Sequence, residues 1–251
     1  MVARYAEEFL EELRRSSYAV VLTGAGVSTP SGIPDFRGPK GIYSRVPPET
    51  FEIDFFLRHP ERYYEVERGI LSSSFDAEPN ETHLLLAKLE SMGLIKGVIT
   101  QNIDGLHQRA GSKVVVELHG NISTGTCLSC GRKFSREEIN AKLESSPVPR
   151  CGCGGLIKPD VVFFGEQLPP DALEKGTEMA SKADLMVVMG SSLVVYPAAN
   201  LPLLTVRNGG RLIIVTKGET GLDFLAYRKY NVDLVEFSRE VLRLIEGGLE
   251  L

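Results

Sequence analysis

Short apolar runs that recur along the chain limit its possible folds more than any other feature. They lie at Tyr18–Leu22, Gly97–Thr100, Val114–Leu118, Val161–Phe164, Leu185–Met189 and Arg211–Val215. Because both sides of each run are apolar, the runs suit central parallel strands that helices cover on both faces. Helical patterns fall between them, notably at Thr82–Met92 and Leu173–Lys182. The sequence therefore predicts an α/β fold with a Rossmann-like open parallel sheet.

The 251 residues are enough for one domain with insertions. We predict a single catalytic domain over residues 1–251, with a helical and cofactor-loop insertion at 38–80 and a cysteine-bearing module at 121–159.

The net charge of −5 argues against direct nucleic-acid binding. No apolar run approaches the ~20 residues of a membrane helix, and acidic residues interrupt the first fifteen positions. We therefore expect a cytoplasmic protein. We also expect a monomer, on which charge and apolarity have no bearing.

All four cysteines lie close together, at Cys127, Cys130, Cys151 and Cys153. This clustering predicts a Cys₄ zinc site, and a pair of disulfides is the competing interpretation. Four sulfur ligands leave no open coordination position, so the zinc would be structural. The second pair is one residue shorter than the usual spacing, although the neighbouring glycines give the backbone freedom to close the site.

Polar groups follow four of the predicted strands, at the sheet edge where α/β proteins bind ligands. Gly24-Ala25-Gly26 could let a pyrophosphate approach the backbone, or could simply make a tight turn. The third glycine of a dehydrogenase fingerprint is replaced by Thr29, and no acidic residue ends a second strand about twenty residues later. Gly32–Gly38 is interpreted as a lid, with a capped surface turn as the alternative. Gln101–Asp104 and Gly190–Ser192 complete the edge.

His119 differs from the other three histidines because it closes a predicted strand at this same edge. A pKa near 6.5 suits a general base, and the alternative is a core histidine bonded to a backbone carbonyl. His59, His83 and His107 lie in a loop or in helices and are interpreted as structural or solvent-exposed.

Together these motifs, with Phe164-Gly165-Glu166, resemble the sirtuin family in order and spacing from about residue 17 to 237. The resemblance implies an NAD-dependent protein deacetylase in which NAD is consumed and His119 is the catalytic base, with Asn102 as the second catalytic residue. It implies NAD contacts at Gly24, Ala25, Thr29, Phe36, Arg37, Gln101, Asn102, Ile103, Asp104, His119, Gly190, Ser191, Ser192, Thr216 and Val232. The acetyl-lysine peptide would add as a strand along Val161, Phe163, Phe164, Gly165, Glu166, Val194, Val195 and Tyr196.

The implied reaction begins when the acetyl oxygen attacks the ribose carbon as nicotinamide leaves. His119 then helps to deprotonate a ribose hydroxyl, and the products are lysine, nicotinamide and O-acetyl-ADP-ribose. Mono-ADP-ribosyltransfer and removal of longer neutral acyl groups are the alternatives, and an NAD-responsive binding module is a third.

Two departures from the family pattern bear on function. Thr216 stands where the family often has an asparagine that contacts the adenosine ribose, so we expect weaker NAD binding. Tyr64-Glu65-Val66-Glu67 stands where members that prefer acidic acyl groups carry a Tyr-x-x-Arg pair. We expect Glu67 to repel acidic acyl groups, so that acetyl-lysine is turned over faster than succinyl-lysine.

Overall fold

The computed structural model describes residues 1–38, 41–71 and 76–248. Its main sheet has six parallel strands in the order β3-β2-β1-β7-β8-β9. Their bounds are β1 Ala19–Thr23, β2 Val98–Thr100, β3 Val115–Glu117, β7 Leu185–Met189, β8 Arg211–Val215 and β9 Arg228–Tyr230. A second, antiparallel sheet has the order β5-β4-β6, with β4 Gly120–Cys127, β5 Lys133–Ser135 and β6 Ile157–Val161. The predicted fold class is confirmed.

The described helices surround these sheets. They are α1 Val2–Arg15, α2 Ile53–Arg58, α3 Pro60–Val66, α4 Glu81–Ser91, α5 Leu106–Arg109, α6 Arg136–Ser145, α7 Pro170–Lys182, α8 Asn200–Arg207 and α9 Leu234–Glu246. Short 3₁₀ turns and one π-helical turn, Glu67–Leu71, connect some of them. None of these described helices combines the length and apolarity needed to cross a bilayer.

Helices cover both faces of the main sheet because successive strand side chains point to opposite sides. On one face Val21, Val187 and Ile213 pack with residues of α1, α4 and α9. On the other face Leu22 and Val188 pack with residues of α7 and α8. Burying each such side chain contributes about 1.5–3 kcal/mol, so the two apolar faces hold the central strands between the helices.

Val161–Phe164 was expected to be a strand of the parallel sheet, and that prediction is wrong. Val161 ends β6, which runs antiparallel to β4 in the small sheet. The run is apolar because Val161 and Phe163 belong to a third core, which also contains Phe56 and Tyr63. Apolarity alone cannot show which core a strand joins.

Two further differences concern segments rather than single residues. Strand β9 was not predicted, because an edge strand of three residues with two basic side chains carries no apolar pattern. The predicted insertion at 38–80 includes residues 39–40 and 72–75, which lie outside the described residues. Its described part contains α2 and α3.

Candidate active site

The strand order places β1 beside β7 at the centre of the sheet, and the two loops that follow them meet closely. The Gly26 N–H donates to the Gly190 carbonyl at 2.9 Å. A Cβ on Gly26 would lie 2.8 Å from the Gly190 Cα, and Gly190 has a φ of +63°. Glycine is therefore required at both positions by the approach of one loop to the other. Open α/β sheets bind ligands at such a switch point.

A cleft of about 740 Å³ opens at this edge of the sheet, within the usual size range of small-molecule sites. It brings together nearly every residue that was predicted to contact NAD or the peptide, namely Gly24, Ala25, Thr29, Phe36, Arg37, Gln101, Asn102, Ile103, Asp104, His119, Val161, Phe163, Phe164, Gly165, Glu166, Gly190, Ser191, Ser192, Val195, Tyr196, Thr216 and Val232. Val194 is the exception, since it does not line the cleft and is half-exposed. The roles assigned to these residues remain predictions.

The side-chain amide of Asn102 has a fixed orientation. Its Nδ2 donates to the Gly24 carbonyl at 3.2 Å and to Ser28 Oγ at 3.1 Å. Because a backbone carbonyl can only accept, the nitrogen must face Gly24, and the amide oxygen points the other way. Asn102 lines the cleft, and neither of these bonds uses its amide oxygen, which stays available as an acceptor.

Ser28 organises this wall and was missed as a site residue. Its hydroxyl donates to Asp104 Oδ2 at 2.7 Å and accepts from Asn102. His83 Nδ1 accepts the backbone N–H of Asn80, so the proton of the neutral ring lies on Nε2, which faces Ser28 Oγ at 3.3 Å. Burial lowers the pKa of His83 to about 4, so the ring is neutral at pH 7. The only signal in the sequence was its position two residues after the glycine turn.

His119 presents Nε2 as its free ring nitrogen. Its Nδ1 lies 2.9 Å from the Gln101 carbonyl, which can only accept, so Nδ1 carries the proton. Burial lowers the pKa of His119 below 6.5, and the bond to Gln101 opposes that shift. The neutral ring is therefore a base with its lone pair on Nε2, in the wall of the cleft.

The backbone on either side of His119 is equally constrained. A Cβ on Gly120 would lie 2.0 Å from the Asp160 carbonyl, which explains the glycine after the histidine. The His119 carbonyl accepts the N–H of Val162 at 2.9 Å. The histidine is thereby connected to the segment that was predicted to bind the peptide.

The other histidines have the structural or solvent-exposed positions that were expected. His59 is exposed and lies 3.6 Å from Glu61. His107 is buried, and its Nε2 lies 2.9 Å from Thr23 Oγ1, which donates to Thr100 Oγ1. Burial lowers the pKa of His107 to about 3.

The predicted peptide segment has one edge that is already paired. Phe164 donates to the Phe51 carbonyl at 2.8 Å and accepts from the Ile53 N–H at 2.9 Å. Gly165 then turns the chain with a φ of +91°, and it lines the cleft. An added strand must therefore hydrogen-bond to backbone groups that follow Phe164 in the chain, on the side of the segment that faces the cleft.

Glu67 does not face the cleft, so the reason given for rejecting acidic acyl groups is wrong. Its carboxylate is buried and bonded by Arg136 at 2.9 and 3.1 Å. Burial raises the pKa of Glu67, and the Arg136 guanidinium opposes the shift. Tyr63, whose hydroxyl lies 3.4 Å from Glu67, lines the cleft instead. Sequence spacing could not show that a charge from α6 would neutralise this glutamate.

The four cysteine sulfurs form one cluster, within 4.8 Å of one another. Cys127 and Cys153 are 3.6 Å apart, as are Cys130 and Cys151. Zn–S bonds of about 2.3 Å in a tetrahedron require S···S distances of about 3.8 Å, so the cluster fits zinc. The short Cys151–Cys153 spacing is accommodated by Gly154, which has a φ of +85°. The sulfurs are not disulfide-bonded.

Several cleft residues were not predicted. Asp35 belongs to the predicted lid but was given no role of its own, whereas the others carry no motif and come from loops or helices far apart in sequence: Phe51, Tyr63, Leu168, Pro197, Lys217 and Glu219. Only the tertiary fold brings these loops together, so a linear pattern could not reveal them. Lys217, directly after Thr216, is held 2.9 Å from Asp233.

Comparison with known proteins gives concordant results. The sequence model of the Sir2 family matches residues 24–197, well over half of the chain. An NAD-dependent protein deacetylase of Thermotoga maritima is 57% identical over 97% of this chain and 98% of its own length. An NAD-dependent protein deacylase of Archaeoglobus fulgidus is 40% identical over 97% and 99% of the two chains.

Solved structures agree with the sequence matches. A Sir2 complex with deacetylated p53 peptide and 3′-O-acetyl ADP ribose has a TM-score of 0.93 at 56% identity, over 96% of this chain and 98% of that one. A Sir2 complex with p53 peptide and NAD⁺ has a TM-score of 0.90 at 56% identity, over 97% and 99%. This chain thus shares its fold with Sir2 proteins whose solved structures contain a p53 peptide together with NAD⁺ or 3′-O-acetyl ADP ribose.

Proposed function

The chain belongs to the Sir2 family, and from that premise we propose that its cleft removes acetyl groups from lysine side chains at the expense of NAD. It is an NAD-dependent protein deacetylase whose products are lysine, nicotinamide and O-acetyl-ADP-ribose. The observation that carries this proposal is the free Nε2 of a neutral His119, in the same cleft as the acceptor oxygen of Asn102.

Each residue has a chemical role that its contacts support. His119 Nε2 accepts a proton from a ribose hydroxyl, and the bond from Nδ1 to the Gln101 carbonyl stabilises the positive charge that the ring then carries. The fixed amide oxygen of Asn102 accepts a hydrogen bond from a ribose hydroxyl or an ordered water. The glycine turn, Ser191 and Ser192 also line the cleft, where the turn would meet the phosphates and the two serines would lie on the adenosine side.

The acetylated peptide is proposed to lie between Gly165-Glu166 and Val194–Tyr196. Phe164 already pairs with Phe51 and Ile53 along the edge away from the cleft, and Val195 and Tyr196 also line the cleft. Phe163 and Val161 form an apolar surface for the acyl-lysine stem. Recognition through backbone groups would accept many protein sequences.

Zinc would be held by Cys127, Cys130, Cys151 and Cys153, and would stabilise the small sheet without taking part in the reaction. A four-sulfur site also needs reduced thiols, which supports a cytoplasmic location. A monomer remains part of the proposal, as does the absence of direct nucleic-acid contacts, which the net charge of −5 supports.

Product analysis tests this function against its closest rival. Incubation of an acetyl-lysine peptide with NAD should yield deacetylated peptide and O-acetyl-ADP-ribose in equal amounts, measured by mass spectrometry. Mono-ADP-ribosyltransfer would instead add ADP-ribose to a protein and leave the peptide acetylated. Faster removal of a longer neutral acyl group than of acetyl would favour the deacylase alternative.

The pH dependence should report the lowered pKa of His119. Because the base must be neutral, kcat/KM for the peptide should fall as His119 becomes protonated, with a midpoint below 6.5 and a plateau at neutral pH. His83 and His107 have pKa values of about 4 and about 3, so their protonation does not cause this fall in kcat/KM. A steady-state profile from pH 5 to 8 measures it, and a midpoint above 6.5 contradicts the assignment.

A further inference from the structure

Lys158 is a nearly buried cation whose three ammonium hydrogens all have acceptors. Nζ donates to the Val161 carbonyl at 2.8 Å and to the Pro159 carbonyl at 3.2 Å. It lies 3.0 Å from Glu166 Oε2. Its side chain is 11% exposed. An ammonium withdrawn from water is stable only with such partners.

The same ammonium lies 4.8 Å from the ring centroid of Phe163, a contact of the cation–π type. Glu166 Oε2 also accepts the Phe163 N–H at 2.8 Å, so one carboxylate oxygen joins Lys158 to the backbone of the segment. Every described partner of the Lys158 side chain thus lies between residues 159 and 166. Side-chain bonds that are all this local fix the path of one segment, whereas the backbone of Lys158 joins β6 to β4.

Residues 161–166 are the wall of the cleft on which the peptide is proposed to lie. Phe51 and Ile53 hold the segment along one edge. Lys158 binds the segment at both of its ends. It contacts the Val161 carbonyl, which lies before the turn at Gly165, and the Glu166 carboxylate, which lies after that turn. Restraints on both sides of Gly165 would hold its backbone groups in one direction before the peptide binds. Such preorganisation raises affinity by reducing the ordering cost of binding.

We propose that Lys158 is a positioning residue that sets the conformation of Val161–Glu166 for the acetyl-lysine peptide. This inference rests on the proposed function, since it names a determinant of substrate binding in the same cleft. Lys158 does not line the cleft and would act through the carbonyls and the carboxylate that it binds.

The test is Lys158→Met, which keeps the length of the side chain and removes its charge and donors. We expect the Kd of a fluorescein-labelled acetyl-lysine peptide, measured by anisotropy, to rise about tenfold, since bonds to charged groups are lost. The KM for the peptide should rise equally, while kcat and the KM for NAD stay within about twofold. Lys158→Arg should recover most of the affinity, because it restores the charge and the donors.

Lys182→Met is the matched control, since Lys182 is exposed and paired only with Glu178 on the same helix. It should leave every parameter unchanged. An unchanged peptide Kd in Lys158→Met, or an equal rise in the KM for NAD, would overturn the inference, whatever happens to the melting temperature. A wild-type chain that binds the peptide without deacetylating it would refute the proposed function, yet the anisotropy series would still decide the role of Lys158.

Discussion

His119→Ala is expected to lower kcat for deacetylation by about 10²- to 10⁴-fold, the usual contribution of a general base. Alanine removes the Nε2 acceptor and the bond to the Gln101 carbonyl, but it leaves the Gly120 turn and the Val162–His119 backbone bond in place. The fold and the affinity for the peptide should therefore persist. Single-turnover formation of O-acetyl-ADP-ribose, followed by mass spectrometry, measures the loss.

His59→Ala is the control for that experiment, because His59 is exposed and lies outside the cleft. It should retain full activity. Retention of more than a tenth of the activity in His119→Ala would mean that another group takes the proton, and the assignment of the base would be wrong.

Cys127→Ser is expected to remove the zinc and to unfold the module around the small sheet. The sulfur lies within the four-sulfur cluster, and Cys127 is itself buried in the third core with Ile157 and Phe134. Structural zinc contributes on the order of 10 kcal/mol in isolated modules, so its loss is expected to unfold a small module. Zinc content by elemental analysis and the melting temperature should both fall.

Two glycines offer a finer test of the same site. A Cβ on Gly155 would lie 2.6 Å from Cys127 Sγ, whereas nothing lies within 4 Å of a Cβ on Gly152. Gly155→Ala should therefore weaken zinc retention against a chelator, and Gly152→Ala should not. Equal retention in the two variants, or a full zinc content in Cys127→Ser, would contradict the tetrahedral assignment.

Much of the fold could be predicted because the central strands are apolar on both faces. Val187, Ile213 and their neighbours face two helical layers, so their sequence pattern already indicates a covered parallel sheet. His119 could be found for a related reason, since the carboxyl end of a strand is where such sheets place reactive groups. The zinc site could be predicted because its four cysteines, which must lie close together in space to bind one metal ion, also lie close together in the sequence.

Other features depend on contacts that no linear pattern encodes. Glu67 aligns with a family position for acyl recognition, yet its environment is set by Arg136, which lies 69 residues away in another helix. Ser28 owes its role to two distant residues, His83 in a helix and Asp104 in a separate loop. In each case the missing information was the charge or hydrogen-bond partner supplied by tertiary packing.

The strand order has a consequence for how the chain acquires its structure during synthesis. Ala19 of β1 pairs with Leu185 of β7, 166 residues later, so one edge of the central strand stays unpaired until most of the protein has been made. At about 5–20 residues per second, that interval is roughly 8–30 s. A nascent apolar edge exposed for so long is prone to wrong pairing. Ribosome-bound chains that end before β7 should therefore be protease-sensitive and chaperone-dependent, and protection should begin only when β7 has left the exit tunnel.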